Sequence, residues 1–567
     1  MNDIRRTILW VIFGFSMVLL WDQWQVYNGH KATFFPSPSK QSVVEAPTPA
    51  TSAPATATAA SVGLPAGGSG QIATGQAIEP SRAREQLVVK TDVLKLTFDT
   101  EGGSLVRSEF LKHRDLTDQT KNFVLLDESK ERVYVAQSGL IAATPGISLP
   151  THKTLMSVVA AERELRDGSD SVSVKFESPE IGGVKLVKTY TLKRGSYDLR
   201  VKHEVNSRAN EQVAPQLYLQ LVRDGNKLAS ESSFYSTFTG PAVYTDTKKY
   251  QKVEFTDIEK NKFDIEKQAD KGYVAMVQHY FASAWILPDG MKRDLFMRKV
   301  DTNLYAVGMI AGLPALASGT SQSVEASLFI GPQEEKVLEN LSTGLELVKD
   351  YGWLTILAKP LYWLLDKLEH LIGNWGWSIV ALVVLLKIAF YWLNAKAYAS
   401  MAKMKAINPR IMEMRERLKD NPQQMQQEMM RIYREEKVNP MGGCLPIMIQ
   451  IPVFIALYWV LLSSVEMRNA PWILWIKDLS AADPYFILPL LMTLSTLLQT
   501  ALNPAPPDPM QAKMMWIMPM VFSVMFFFFP AGLVLYWLTN NILSIAQQWI
   551  INKRMGVPPQ FNLPKFR

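Results

Sequence analysis

Apolar positions divide the chain into three regions. Thr7–Trp24 is an apolar run preceded by Arg5 and Arg6. From about Asn28 to Asp350 the pattern is polar and mixed, and the last third is apolar again. Within the middle region the period is two. Leu94, Leu96 and Phe98 alternate with Lys95, Thr97 and Asp99, and Glu101-Gly102-Gly103 supplies a turn. Val172, Val174 and Phe176 alternate with Ser and Lys. Tyr197, Leu199 and Val201 alternate with Asp198, Arg200 and Lys202, after a turn at Arg194-Gly195; Leu217, Leu219 and Leu221 repeat the pattern. Half-buried strands joined by glycine turns predict a large antiparallel β-sandwich.

The last third predicts five membrane spans, each near the ~20 residues a bilayer requires. They are Trp377–Leu393, Leu445–Ser464, Tyr485–Leu502, Met514–Phe529 and Leu533–Ile551. Before them, Glu334–Leu347 reads as helical. Tyr351–Ile372 is apolar, but Lys359, Pro360, Asp366, Lys367, Glu369 and His370 interrupt it. Leu361, Leu364, Leu365 and Leu368 share one face, which predicts a helix lying in the outer interface.

Charge sets the orientation. The loop Asn394–Cys444 is strongly basic, and the tail carries Lys553, Arg554, Lys565 and Arg567. Both belong on the cytoplasmic side by the positive-inside rule. Thr7–Trp24 has a signal-peptide charge pattern, but no small-residue cleavage site follows it. It reads as an uncleaved anchor with its N-terminus inside, which makes about six spans. The predicted domains are an anchor (1–27), an Ala/Pro/Thr-rich flexible linker (28–84), a periplasmic sandwich (85–348) and an interfacial helix (349–373). A helical core (374–552) with a cytoplasmic hairpin (397–438) and a basic tail (553–567) complete the chain. The single cysteine, Cys444, excludes an internal disulfide framework.

Lys387 is the only formal charge in WSIVALVVLLKIAFYWL. A cation near the bilayer centre costs roughly 2.5–3.5 kcal/mol on insertion scales, which makes it a functional candidate. Helical spacing stacks Lys387, Tyr391, Asn394 and Tyr398 on one face. Trp537, Asn541, Ser544 and Gln548 repeat that spacing in the last span, and Thr493, Thr496, Gln499 and Thr500 line a third helix. If the three faces meet, they form a water-accessible concavity open to the cytoplasm. Interhelical hydrogen bonding is the plainer reading of these amides and hydroxyls. Snorkelling of Lys387 towards the inner interface is another.

Ala397–Lys419 and Pro422–Lys437 read as an amphipathic hairpin, its second helix opened by Asn421-Pro422 with Gln424 in a capping position. Its apolar residues are often Met: Met401, Met404, Met412, Met414, Met425, Met429 and Met430. Methionine suits either an adaptable capture surface or a seam between the helices. No P-loop, HExxH, GxSxG or paired-cysteine motif occurs. His203 and His279 have no catalytic partner in sequence, so neither an enzyme nor a cofactor is expected.

Several motifs carry a resemblance. Asn439-Pro440-Met441-Gly442-Gly443-Cys444-Leu445-Pro446 with Gln450-Ile451-Pro452, Ser400-Met401-Ala402-Lys403-Met404 and Met414-Arg415-Glu416-Arg417-Leu418 are three of them. The others are Asp508-Pro509-Met510-Gln511, Phe529-Pro530-Ala531-Gly532-Leu533-Val534-Leu535-Tyr536, and Gly272-Tyr273-Val274-Ala275-Met276 with Tyr280-Phe281. Together they resemble the YidC/Oxa/Alb insertase family, in its Gram-negative form, over essentially the whole chain. The resemblance implies a polytopic α-helical membrane protein with a five-helix core around a hydrophilic groove and a periplasmic β-supersandwich. It implies insertion, folding and assembly of inner-membrane proteins, alone or with the Sec translocon.

Implied partners are nascent membrane proteins, lipids and possible ribosome contact, with no nucleic-acid binding of its own. The family's groove cation, usually Arg, carries over onto Lys387, its aromatic groove residue onto Trp537 and its groove glutamine onto Gln499. Tyr391, Asn394 and Asn541 complete the expected groove. Ile451, Pro452, Pro519 and Met525 are the expected substrate slide, and Met412, Met425 and Met429 the expected capture surface of the hairpin. Two rival functions stay open: a small-anion transporter using Lys387, and a carbohydrate-active sandwich.

Overall fold

A computed structural model describes residues 84–556 and 561, except 116, 117, 119, 228–236, 419, 420, 437–444 and 504–508. The expected anchor, nearly all of the linker, most of the tail and the 439–444 junction lie outside the described residues. The chain divides into two compact units between Lys349 and Asp350.

The first unit is a sandwich of two antiparallel sheets. One has the strand order Gln86–Lys90, Leu94–Asp99, Ser104–Arg114, Val133–Ala142, Pro215–Asp224, Leu304–Gly312, Arg293–Asp301, Gln268–Ala269, with two short strands, Asn122–Val124 and Asp127–Glu128, beside it. The other runs Lys249–Lys252, Gly240–Thr245, Tyr273–Gln278, Phe281–Ile286, Ser321–Pro332, Asp198–Ser207, Val184–Lys193, Ser171–Glu177, Ser157–Ala161. Two short helices, α1 (Phe255–Glu259) and α2 (Glu335–Leu341), accompany the strands. The expected helix over Glu334–Leu347 is therefore interrupted: a separate 3₁₀ turn covers Leu345–Val348.

Alternation holds where one face is solvated. Leu199, Val201, His203 and Val205 point inward between exposed or half-buried neighbours. Pro215–Asp224 departs from it. Leu217, Leu219 and Leu221 are buried, but so are Tyr218, Gln220 and Val222. The second face is covered because Tyr218 Oη accepts the His152 N–H at 2.8 Å, and Val222 packs with Val106, Val135, Leu304 and Ala306. Polar bonds also join the two sheets. Trp285 Nε1 donates to the Gln220 carbonyl at 3.2 Å, and Tyr134 Oη lies 2.6 Å from Ser283 Oγ.

The second unit is helical: α3 (Thr355–Ile372), α4 (Trp375–Ala389), α5 (Tyr391–Arg417), α6 (Pro422–Glu435), α7 (Leu445–Ser463), α8 (Ile487–Leu502), α9 (Pro509–Met525) and α10 (Ala531–Arg554). A 3₁₀ turn, Gly352–Leu354, precedes α3, and another, Phe526–Phe528, follows α9. Among the described residues no single helix is long and apolar enough to cross a membrane; the bent pair α4–α5 meets that test by length and composition. Helix α10 is central and packs against α4, α5, α7 and α8. Asn374 caps α4 by accepting the Trp377 N–H at 3.1 Å. Gly376 has no side chain because the Trp472 ring lies where a Cβ would stand, 2.2 Å away.

The expected span Trp377–Leu393 is not one helix. It breaks at Phe390, where α4 and α5 meet at 68°. A straight helix would pair the Lys387 carbonyl with the Tyr391 N–H. Here that carbonyl accepts Gln547 Nε2 at 3.4 Å. A side chain inserted into the ladder is a recognised cause of a kink. The hairpin's first helix is consequently α5 itself, which starts at Tyr391 rather than Ala397.

Helices α5 and α6 close on a core of Ile407, Ile411, Met414 and Ile432, with Met404, Met425 and Met429 packed against it. Asn421 caps α6: its Oδ1 accepts the Gln424 N–H at 3.3 Å, and its Nδ2 donates to Gln424 Oε1 at 3.3 Å. Asn421→Ala is expected to destabilise the hairpin by about 1 kcal/mol. The measurement is hydrogen exchange, which should quicken across α6 and stay unchanged in α10.

Candidate functional site

Lys387 occupies the last turn of α4 and is only 6 % exposed. Its Nζ donates to Ser544 Oγ at 2.7 Å, and Ser544 Oγ donates in turn to the Asn540 carbonyl at 2.7 Å. Among the described residues the ammonium has no carboxylate partner. Asn394, on α5, is also buried, and its Nδ2 has no partner among the described residues. Val383, Leu386, Lys387, Phe390, Asn394, Gln450, Val453, Tyr536 and Asn540 line a narrow space of about 10 Å³. That is the scale of one water molecule. Among the described residues the space beside Lys387 is thus narrow.

A larger cavity, about 450 Å³, lies between α7, α8, α9 and α10. Phe454, Phe526 and Trp537 form its aromatic wall. The Phe454 and Trp537 rings stack at 4.8 Å, and the Phe526 ring meets Trp537 edge-on at 4.1 Å. Pro519, Phe522, Ser523 and Met525 line the α9 side, and Met492 and Thr496 the α8 side. Asn541 closes the floor, its Nδ2 donating to Thr496 Oγ1 at 2.9 Å and Ser495 Oγ at 3.3 Å. Among the described residues no formal charge lines this cavity.

The sequence-predicted residues therefore separate into groups. Lys387 and Asn394 share the small compartment; Trp537, Asn541, Pro519 and Met525 share the large cavity. Tyr391 does not stack with Lys387: beyond the break it is 41 % exposed. Gln499 is half-buried and is absent from both linings, as are Ile451, which is exposed, and Pro452, which is half-buried within α7. The α8 hydroxyls are occupied locally: Thr493, Thr496 and Thr500 each donate to the carbonyl four residues earlier. Of the hairpin methionines, Met425 and Met429 are in the seam, whereas Met412 is exposed.

Sequence reasoning missed Gln450, Phe454 and Phe526 as lining residues. The adjacent pairs Val453-Phe454 and Tyr536-Trp537 were the available signal, because neighbouring helical residues, about 100° apart, line the two spaces in turn. In the sandwich, His203 Nε2 bonds Ser138 Oγ at 2.9 Å and His279 stacks on Tyr280, so both histidines are engaged within the fold.

Residues 86–364 match the YidC periplasmic domain family, and residues 367–557 match the 60Kd inner membrane protein family. These define an inner-membrane protein with a periplasmic domain. The membrane protein insertase YidC of Ralstonia nicotianae is 54% identical over 557 residues, with 98% of each chain covered. That of Cupriavidus taiwanensis is 54% identical over 564 residues, again with 98% of each covered. A crystal structure of an active YidC insertase with its first transmembrane domain resolved covers 82% of this chain and 92% of its own, at 19% identity and a TM-score of 0.37. The chain belongs to the YidC membrane protein insertase family.

Proposed function

We propose that this chain inserts hydrophobic segments of nascent proteins into the inner membrane and assists their folding, without making or breaking a covalent bond. The observation that carries the reading is Lys387: a buried cation with one neutral hydroxyl partner, next to an aromatic cavity lined by no described charge. An uncompensated cation attracts acidic residues in the short polar tail of a substrate. Water and the amides around it offset that tail's desolvation. The apolar segment meanwhile moves along α7 and α9, past Pro519 and Met525, and leaves sideways into lipid.

The basic hairpin is the first contact, with Met412 exposed for capture. About six spans, with both termini cytoplasmic and the sandwich periplasmic, follow from the distribution of Lys and Arg. The Sec translocon and the ribosome are the macromolecular partners this activity calls for. In proteoliposomes holding only this protein, a single-span substrate with an acidic tail is expected to become protected from external protease. Protection no greater than in empty liposomes would overturn the reading.

A further inference from the structure

The two spaces meet at one residue. Among the described residues Asn540 alone lines both the Lys387 compartment and the large cavity. The partition on either side of it is built from neighbouring pairs. Val453 faces the compartment and Phe454 the cavity on α7; Tyr536 faces the compartment and Trp537 the cavity on α10. The Phe454 ring stacks on Trp537 at 4.8 Å and lies 5.4 Å from Tyr536, which closes the partition with packed aromatics.

At Asn540 the closure is different. The Asn540 Oδ1 accepts Gln450 Nε2 at 3.4 Å, at the long limit for a hydrogen bond. The Lys387 compartment, at about 10 Å³, is too small for a carboxylate side chain. Phe522, half of whose surface is exposed, carries the large cavity out to the surface of the unit. A substrate carboxylate that comes from the aromatic cavity reaches the Lys387 ammonium only if the partition opens. The Gln450–Asn540 pair is its polar member, joined by one long hydrogen bond.

We propose that the Gln450–Asn540 carboxamide pair is a gate: its separation joins the aromatic cavity to the Lys387 compartment and lets an acidic substrate side chain reach the cation. The inference rests on the proposed function for the identity of the guest, but not for the gate itself. The gate acts through side chains alone. Lys387 is held by Ser544, which bonds the Asn540 backbone carbonyl, so substituting the Asn540 side chain leaves that relay in place. Asn540 is thus a specificity-determining residue, regulating which substrate groups contact Lys387.

The test uses full-length protein in native membranes, with Cys444→Ala to remove the only thiol. Val383→Cys supplies the reporter thiol, since Val383 is buried and lines the compartment while Lys387 itself stays in place. N-ethylmaleimide is the probe. Asn540→Ala and, separately, Gln450→Ala are expected to raise the rate of alkylation at position 383 by about threefold to tenfold, the range a single intramembrane hydrogen bond spans. Met492→Ala enlarges the cavity away from the partition and should leave the rate within about twofold. Unchanged alkylation in both gate variants, or an equal rise in Met492→Ala, overturns the gate. If either gate variant fails to accumulate, the other decides. Adding an acidic-tailed substrate to the Asn540→Ala protein should protect the reporter thiol. A raised rate without protection keeps the gate and overturns the acidic guest, which separates the two failures.

Discussion

Lys387→Glu is expected to lower insertion of an acidic-tailed single-span substrate at least about tenfold, with Lys387→Ala falling between it and the wild type. The sign follows from the site. Lys387 is buried, bonds the neutral Ser544 hydroxyl, and has no described carboxylate to cancel its field. Two unit charges about 4 Å apart interact by ~4 kcal/mol at an effective dielectric constant near 20. Alanine removes that attraction and glutamate inverts it. A substrate whose tail carries Lys in place of Asp should show the opposite order and insert best with Lys387→Glu. That exchange distinguishes field from shape. Equal insertion by all three proteins would remove charge attraction from the mechanism.

The same burial predicts a second effect of opposite sign. Lys387→Met retains the stem and removes an uncompensated cation, and Ser544 keeps its bond to the Asn540 carbonyl. The helical unit is expected to gain up to about 2 kcal/mol in detergent while insertion declines. A site held at a stability cost is the expected pattern for a group kept for function.

Much of this was legible along the chain, for stated reasons. The sandwich follows from period two, since strands such as Asp198–Ser207 have one solvated face. Pro215–Asp224 shows the same period at Leu217, Leu219 and Leu221 but is buried on both faces, because His152 and neighbouring strands cover the second. Lys387 was conspicuous because charge in an apolar run has no local explanation. Its surroundings were not, because the break at Phe390 involves neither Pro nor Gly. It coincides with a bond from Gln547, far away in sequence, to the Lys387 carbonyl. With α4 and α5 bent by 68°, helical spacing no longer carries Tyr391 towards Lys387. Gln499 and Ile451 carry the resemblance but do not line the cavities, whereas Phe526 does so from a 3₁₀ turn that no 3.6-residue pattern marks. The methionines of the hairpin are divided between seam and surface, a distinction composition cannot make.

One buried cation in the sandwich was also within reach of the pattern. In Val184–Lys193 the inward positions are 184, 186, 188, 190 and 192, and Lys188 is the one charge among them. It is completely buried. Its Nζ donates to the Gly102 and Ser138 carbonyls, both at 2.6 Å, and so ties one sheet to the other. Gly102 offers its carbonyl from a left-handed turn, φ +71°, where a Cβ would stand 2.3 Å from the His152 carbonyl oxygen. Burial pulls the Lys188 pKa down to about 7. His203, its partner in register, is pushed down to about 3 by burial and by Lys188. Tyr190, on the same face, donates to the Gly103 carbonyl, and burial raises its pKa.

Between about pH 7 and the ordinary lysine value near 10.4, the unfolded chain holds a proton that the folded sandwich does not, so stability rises with pH across that window. Below pH 7 both states are protonated and the penalty of the buried charge is fully present. Lys188→Met removes the titration but leaves two buried carbonyls without a donor, each worth roughly 1–3 kcal/mol. The variant is therefore expected to be about 3 kcal/mol less stable than wild type at pH 9, with a much smaller deficit at pH 6. His203 stays neutral in the fold over this range, and its unfolded-state titration is common to both proteins. Urea-dependent hydrogen exchange of the Val184–Lys193 amides in the full-length protein measures the difference. A deficit that does not change from pH 6 to pH 9 would mean that Lys188 stays protonated in the folded sandwich throughout, held as a cation by its two carbonyls.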